Sequence, residues 1–286
     1  MKHEEGFFKG DRNHRIYHQR WLPEGKTKAV LIIVHGLAEH SGRYMNLVNH
    51  FVPLGFSVHA FDHIGHGRSD GARVYVQRFT DFTDTLVTFR KSIDSLHKGE
   101  PIFLVGHSMG GLIGALYLTE HQEGLAGAVL SGPAVKVPDN VPQAAVYAGK
   151  IFSTLAPKLR LIALDSSGVS RDPAVVQAYE TDPLVYRGKM TARFGSEMIR
   201  AMKRIEDEAF RIKLPLLVLQ GSSDRLVDPA GSQKFHDRVA STDKRIIFYE
   251  GLYHEVFNEP EHDRVFHDMG AWIEAHLPSQ NQASVH

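Results

Sequence analysis

Six short apolar runs, each closed by glycine or aspartate and separated by longer helix-compatible stretches, constrain this chain more than any other feature. They are "AVLIIVHG" (29–36), "GFSVHAFD" (55–62), "PIFLVG" (101–106), "LAGAVLSG" (125–132), "LPLLVLQG" (214–221) and "KRIIFYEG" (244–251). The first is continuously apolar rather than alternating, as expected of a strand buried on both faces. Between the runs, 80–97 places Phe82, Leu86, Phe89, Ile93 and Leu96 at three-to-four spacing, which makes one apolar helical face. The stretch 108–122 follows the third run directly, and 261–277 presents Val265, Phe266, Met269, Trp272 and Ile273 in the same way. Strands alternating with helices predict an α/β fold, a mostly parallel central sheet with helices on both faces. The segments "EGFFKG" and "HRIYHQRWLP" near the N-terminus read as an edge hairpin.

The alternation breaks once. From 133 to 210 the chain is helix-prone and shows no clear strand, and the strand rhythm returns at Leu214. A plain crossover of that length is unusual. An insertion between two strands reads instead as a helical cap over the carboxyl ends of the strands, where open α/β sheets bind ligands. The expected organisation is therefore a core of 1–132 and 211–277, a cap of 133–210, and a polar tail, 278–286, expected to be disordered. Within the cap, Ala144–Leu155 and Leu159–Leu164 are apolar. They are expected to divide between packing inside the cap and facing a lipid or acyl chain.

Composition narrows the chemistry. The 286 residues carry 33 basic and 33 acidic side chains, so no global field favours nucleic acid or an acidic membrane, and a neutral or small substrate is expected. The chain has no cysteine, which excludes disulfides, thiolate metal sites and a cysteine nucleophile. The charged start "MKHEEGFFKGDRNHR" lacks the apolar core of a signal peptide, and no run of eighteen apolar residues occurs, so a cytoplasmic protein is the expectation. The 18 histidines are scattered, and His254-Glu255 is followed by Val256, Phe257 and Asn258 rather than by a second metal-binding histidine. His63 and His66 lie in a glycine-rich loop and are not expected to hold a metal. No cofactor is expected.

Gly106-His107-Ser108-Met109-Gly110 fits the pattern G-x-S-x-G, which requires a strand running into the serine and a helix leaving from it. Both are predicted here, so Ser108 is a candidate nucleophile with a helix N-terminus aimed at it. Of the histidines, His254 is best placed as its base, in the loop between the last strand and the last helix. Asp224 and Asp228 follow the fifth run, and either can orient the histidine. Asp228-Pro229 is also a natural helix cap, which leaves Asp224 for the pairing, in the order Ser…Asp…His. An oxyanion needs two N–H donors. Met109 at the helix start supplies one backbone candidate, and the loop opening at "HGLAEHSGRY" supplies the other, with Leu37 as acceptable there as any residue. Asp62 and His63 are expected to brace the glycine-rich loop, and His35 to orient the oxyanion loop.

The segments "HGLAEHSGRY", "DHIGHGRSDG", "GHSMGG", "LQGSSDRLVDP" and "YEGLYHEVF" together resemble the monoglyceride lipase family of the α/β-hydrolases, over roughly Arg20 to Leu277. The resemblance implies a catalytic triad of Ser108, Asp224 and His254, with the oxyanion held by the backbone N–H groups of Leu37 and Met109. It implies that Glu39 and Arg43 lie near the glycerol hydroxyls. Two positions depart from the family pattern. Ala38 stands where the family usually has glycine, and Phe257 stands where mammalian members have a second histidine. The implied activity is hydrolysis of monoacylglycerols to glycerol and fatty acid through an acyl-enzyme, on a lipid substrate met by transient peripheral membrane contact through the cap. A lysophospholipase, a broad carboxylesterase, a carbon–carbon bond hydrolase and a non-catalytic scaffold are the alternatives.

Overall fold

The computed structural model describes residues 1–139, 142–163 and 166–278. The chain opens with β1 (Lys2–Lys9) and β2 (Arg15–Leu22), paired antiparallel as the expected hairpin. It continues through β3 (Ala29–Val34), α1 (Met45–Phe51), β4 (Phe56–Phe61), α2 (Thr80–Leu96), β5 (Ile102–His107), α3 (Met109–His121) and β6 (Gly127–Ser131). A long insertion then carries α4 (Gln143–Leu155), β7 (Arg160–Ala163), α5 (Pro173–Thr181), β8 (Lys189–Thr191) and α6 (Ala192–Glu208). The chain resumes with β9 (Leu216–Gly221), α7 (Pro229–Arg238), β10 (Lys244–Tyr249) and α8 (His262–Ala275).

Eight strands form one sheet in the order β1-β2-β4-β3-β5-β6-β9-β10. The antiparallel hairpin joins the rest antiparallel through β2 and β4, and every neighbour pair from β4 to β10 is parallel. The apolar runs explain this directly. Along β3, Val30, Ile32 and Val34 enter one hydrophobic cluster with α2, α3 and part of α6, while Ala29, Leu31 and Ile33 enter a second with α1 and α8. A period-2 strand that must satisfy both clusters has to be apolar at every position. β5 and β9 divide in the same way, with Leu104 and Val218 on one face and Phe103 and Leu217 on the other. Helix α3 is buried from Met109 to Thr119, which accounts for its nearly all-round apolar sequence.

Two expectations need correction. The insertion is not free of strands, because β7 and β8 pair antiparallel in a small separate sheet. At four and three residues they are too short to show a periodicity, and their pairing partners lie far apart in the chain. Leu96 does not share the buried face of α2. It sits in the last turn, 56% exposed, while Phe82, Leu86, Phe89 and Ile93 are buried. Within the insertion, Tyr147, Ile151, Phe152, Leu155, Leu159 and Leu161 are all exposed apolar side chains, so the solvent-facing share of these stretches is large. Leu164 and the polar tail beyond Pro278 lie outside the described residues.

Candidate active site

Ser108 sits between the end of β5 and the start of α3 at φ 56°, ψ −119°, outside the regions that L-residues favour. Three backbone hydrogen bonds hold it there. Its N–H donates to Ser131 O at 2.9 Å, and its carbonyl accepts from Leu112 N at 3.1 Å and Ala134 N at 3.0 Å. The glycines of the motif are steric necessities. A Cβ on Gly110 would lie 1.9 Å from the carbonyl oxygen of Val34, so only glycine lets α3 approach β3 this closely. Strain at a side chain facing a cavity is a common mark of a functional position.

His254 follows β10 in a loop and is buried. Its Nδ1 lies 2.8 Å from Asp224 Oδ2. Asp224 also accepts from Gln220 Nε2 at 3.0 Å, and through Oδ1 from the N–H groups of Leu226 and Val227 at 2.9 and 3.0 Å. Burial opposes ionisation of Asp224, but the imidazole and these donors outweigh it and hold the carboxyl below its usual range. An ionised Asp224 makes Nδ1 of His254 the protonated nitrogen and leaves Nε2 with a lone pair. Burial likewise works against a charged His254, yet the facing carboxylate prevails and raises its pKa above that of an ordinary histidine. The other candidate, Asp228, is the N-cap of α7. It accepts from Ala230 N at 2.9 Å and pairs with Lys136 at 2.5 Å.

Behind His254 the packing is tight. Gly132 has φ 48°, and a Cβ there would lie 3.2 Å from His254 Nδ1. On its other side the His107 ring lies 4.7 Å away, centroid to centroid, at an angle of 49°. Burial drives the His107 pKa down to about 3, with the neighbouring His254 adding to the effect, so this ring is neutral.

Ser108, Met109, Leu37, Glu39, His107, His254 and Glu255 all line one cavity of about 320 Å³. Its other walls are apolar and come largely from the insertion, including Met190, Met198, Ile199 and Met202. Met109 occupies the first position of α3, where a backbone N–H has no intrahelical acceptor. Neither its N–H nor that of Leu37 has a protein acceptor among the described residues.

The loop carrying Leu37 is braced from several directions. Glu39 Oε1 accepts from Gly36 N at 2.6 Å and from the Tyr44 hydroxyl at 2.8 Å. Ala38 adopts a left-handed φ of 65°, and its carbonyl accepts from Tyr186 N of the insertion at 2.8 Å. His40 Nε2 lies 2.9 Å from Asp182, also in the insertion. His35 accepts from the N–H of His63 at 2.9 Å, which places its own proton on Nδ1, bonded to Gly36 O at 2.8 Å. Asp62 accepts from both the N–H and the hydroxyl of Ser41 and from Arg68 N. His63 and His66 are buried, with pKa values lowered to about 3 and about 4 by desolvation. No cluster of three metal-ligating side chains occurs among the described residues.

Arg43 is the residue whose surroundings the sequence left most open. Its guanidinium bonds Glu255 through both Nη atoms at 2.6 and 2.8 Å, reaches Glu39 Oε2 at 3.1 Å, and stacks 4.6 Å over the Tyr179 ring. It does not line the cavity, whereas Glu39 does. Burial raises the Glu39 pKa, with Arg43 opposing, while Arg43 overcomes burial at Glu255 and lowers it. Sequence reasoning missed Glu255, Tyr44 and Gln220. Nothing in the chain around Glu255 signals a partner so distant. Phe257 is buried against Phe266 and His107, on the core side of the loop.

Comparison with known proteins places this geometry in context. A family profile described as serine aminopeptidase, S33 matches residues 25–261. A monoacylglycerol lipase of Mycolicibacterium smegmatis is 40% identical over 96% of this chain and 98% of its own length. A monoglyceride lipase of Homo sapiens is 36% identical, covering 94% of this chain and 90% of its own. The crystal structure of a Paleococcus ferrophilus monoacylglycerol lipase superimposes with a TM-score of 0.82 at 32% identity, over 91% of this chain and 99% of that one. The resemblance carried by the five sequence segments extends over nearly the whole chain.

Proposed function

The chain belongs to the serine hydrolase family described as serine aminopeptidase, S33, with an α/β-hydrolase fold, and from that premise we propose that it hydrolyses monoacylglycerols to glycerol and a fatty acid. The observation that carries the reading is the pairing of His254 with Asp224 at 2.8 Å on the same apolar cavity as the strained Ser108. In this reading residues 1–132 and 211–277 form the core, and 133–210 form a cap over the carboxyl ends of the strands.

Ser108 Oγ attacks the ester carbonyl while His254 Nε2 takes its proton, and Asp224 stabilises the imidazolium so formed. The tetrahedral oxyanion accepts from the N–H groups of Leu37 and Met109, each contributing roughly 3–4 kcal/mol. His254 then protonates the leaving glycerol oxygen, and the acyl-enzyme forms. Water, deprotonated by His254, attacks the acyl carbonyl, and collapse of the second intermediate returns the proton to Ser108 and releases the fatty acid. The methionine-rich wall accepts the acyl chain without demanding one shape. Glu39 presents the polar end of the cavity to the glycerol hydroxyls, and Arg43 acts behind it by fixing Glu39 and Glu255.

No helix among the described residues is long and apolar enough to cross a membrane. The exposed apolar side chains of α4 support transient peripheral contact with a lipid surface by a cytoplasmic enzyme. The test is a panel of monoacylglycerol and lysophosphatidylcholine at equal acyl length, with the Ser108→Ala protein alongside. Faster turnover of monoacylglycerol, abolished by Ser108→Ala, is expected. Faster turnover of the phospholipid overturns the head-group assignment, and full activity without Ser108 overturns the mechanism.

A further inference from the structure

A second hollow lies in the cap, between α4 and α6, with a volume of about 590 Å³. That is well within the range of ligand-sized pockets, about 300–1,000 Å³. Its floor is apolar, formed by side chains such as Phe152 and Leu161. It shares Met190, Gly195 and Ile199 with the Ser108 cavity, so the two hollows adjoin. At the shared Gly195 there is open space, since a Cβ there would meet only Met190 Sδ, at 3.9 Å.

The two hollows differ in the charged side chains that line them. Lys150, Arg193, Arg200 and Lys203 line the cap groove, and no carboxylate does among the described residues. Glu197 lies behind this rim, 2.9 Å from Arg200 and 3.8 Å from Arg193, and is itself fixed by accepting from Phe79 N. One carboxylate against two guanidiniums leaves the rim positive. Lys150 and Lys203 line the groove with no carboxylate beside them in its described lining. The Ser108 cavity, by contrast, is lined by Glu39 and Glu255, which share the single guanidinium of Arg43.

We propose that the cap groove is a binding site for the carboxylate form of a long-chain fatty acid. An apolar floor with a cationic rim matches an anionic amphiphile, and a neutral ester has no use for four cations. Ester cleavage converts a neutral substrate into an anion in a cavity that no lysine or arginine lines, with a cationic groove adjoining. The source of the ligand rests on the esterase reading above, but the binding itself does not, and it is measured without turnover.

The experiment compares binding of oleate and oleyl alcohol to the full-length protein by calorimetry below their aggregation concentrations. The double variant Lys150→Gln/Lys203→Gln is measured beside the wild type, with Lys150→Arg/Lys203→Arg as the charge-retaining control. Oleate is expected to bind at least tenfold more tightly than oleyl alcohol and to weaken as salt is raised. The glutamine variant should bind oleate roughly fivefold more weakly, as expected for the loss of two exposed charge contacts. Oleyl alcohol binding, and turnover of a short p-nitrophenyl ester, should stay unchanged. Equal affinity for the two ligands, or unchanged oleate binding in the glutamine variant, overturns the proposal. So does a variant that keeps its oleate affinity but no longer sediments with phosphatidylglycerol vesicles, which would assign these cations to a lipid surface. If the glutamine variant does not fold, the wild-type salt dependence and the oleate-to-alcohol ratio decide the matter.

Discussion

Arg43 and Glu255, 212 positions apart in the chain, are joined by two parallel hydrogen bonds of 2.6 and 2.8 Å in the protein interior. The pair fastens the loop after β3, which carries Leu37, to the loop after β10, which carries His254. Oxyanion donors and general base are thereby held by one bidentate contact, a geometry that lysine cannot reproduce.

Replacing Arg43 by methionine strands Glu39 and Glu255 as buried, unpaired carboxyls. The expected loss of stability is about 3–5 kcal/mol, read by urea unfolding. Turnover of a short p-nitrophenyl ester should fall together with that of a monoacylglycerol, because the distortion reaches groups that every ester uses. A loss confined to the KM for monoacylglycerol, with stability unchanged, would instead make Arg43 a direct glycerol ligand.

Asp224→Asn keeps the shape of the side chain but removes the charge that fixes the His254 tautomer. With four hydrogen bonds now made to the carboxylate, the amide must also turn an N–H₂ towards a donor. A fall in kcat of about 10⁴-fold is expected, by the logic of the serine triad. A fall of less than tenfold would remove Asp224 from the mechanism.

The pH dependence follows from the sign of the His254 shift. The base must be neutral to accept the serine proton, and Asp224 raises its pKa above the ordinary histidine value. Activity is therefore lost as pH falls through that raised pKa, so the acid limb of kcat/KM should have its midpoint above about 6.5. In a variant such as Asp224→Asn the residual activity should lose its acid limb at a lower pH. A wild-type midpoint below 6 would contradict the assignment.

Ala38 occupies a left-handed conformation that glycine adopts without strain. Ala38→Gly relieves roughly 1 kcal/mol of strain and gives back part of it through the freer unfolded chain. Thermal unfolding should show an unchanged or slightly higher midpoint. Destabilisation by more than about 1 kcal/mol would mean that the Cβ makes packing contacts outweighing the strain.

The sheet was legible in the sequence because both of its faces are covered. Double burial makes β3 apolar at every position and β5 and β9 apolar up to their carboxyl ends, a signal that tertiary context reinforces. Ser108 was legible for a different reason, since the close approach of α3 to β3 forces glycine at position 110. Short elements in the insertion were not legible. β7 and β8 depend on each other across 25 intervening residues for their hydrogen bonds, and nothing local marks them. Glu255 was invisible as a partner of Arg43 for the same reason. An acidic residue after a histidine carries no sign of whether it faces water or a guanidinium brought from another loop. Leu96 misled because helical spacing continues into a final turn that has already left the core.

The central claim is that Ser108 carries the acyl group of a monoacylglycerol during turnover. Rapid acid quenching of the enzyme under saturating monoolein, followed by peptide mass spectrometry, tests it directly. The account predicts an oleoyl adduct on the peptide containing Ser108, caught by the quench before deacylation and missing from Ser108→Ala. An oleoyl group on any other residue, or full hydrolysis of monoolein by Ser108→Ala, would contradict it.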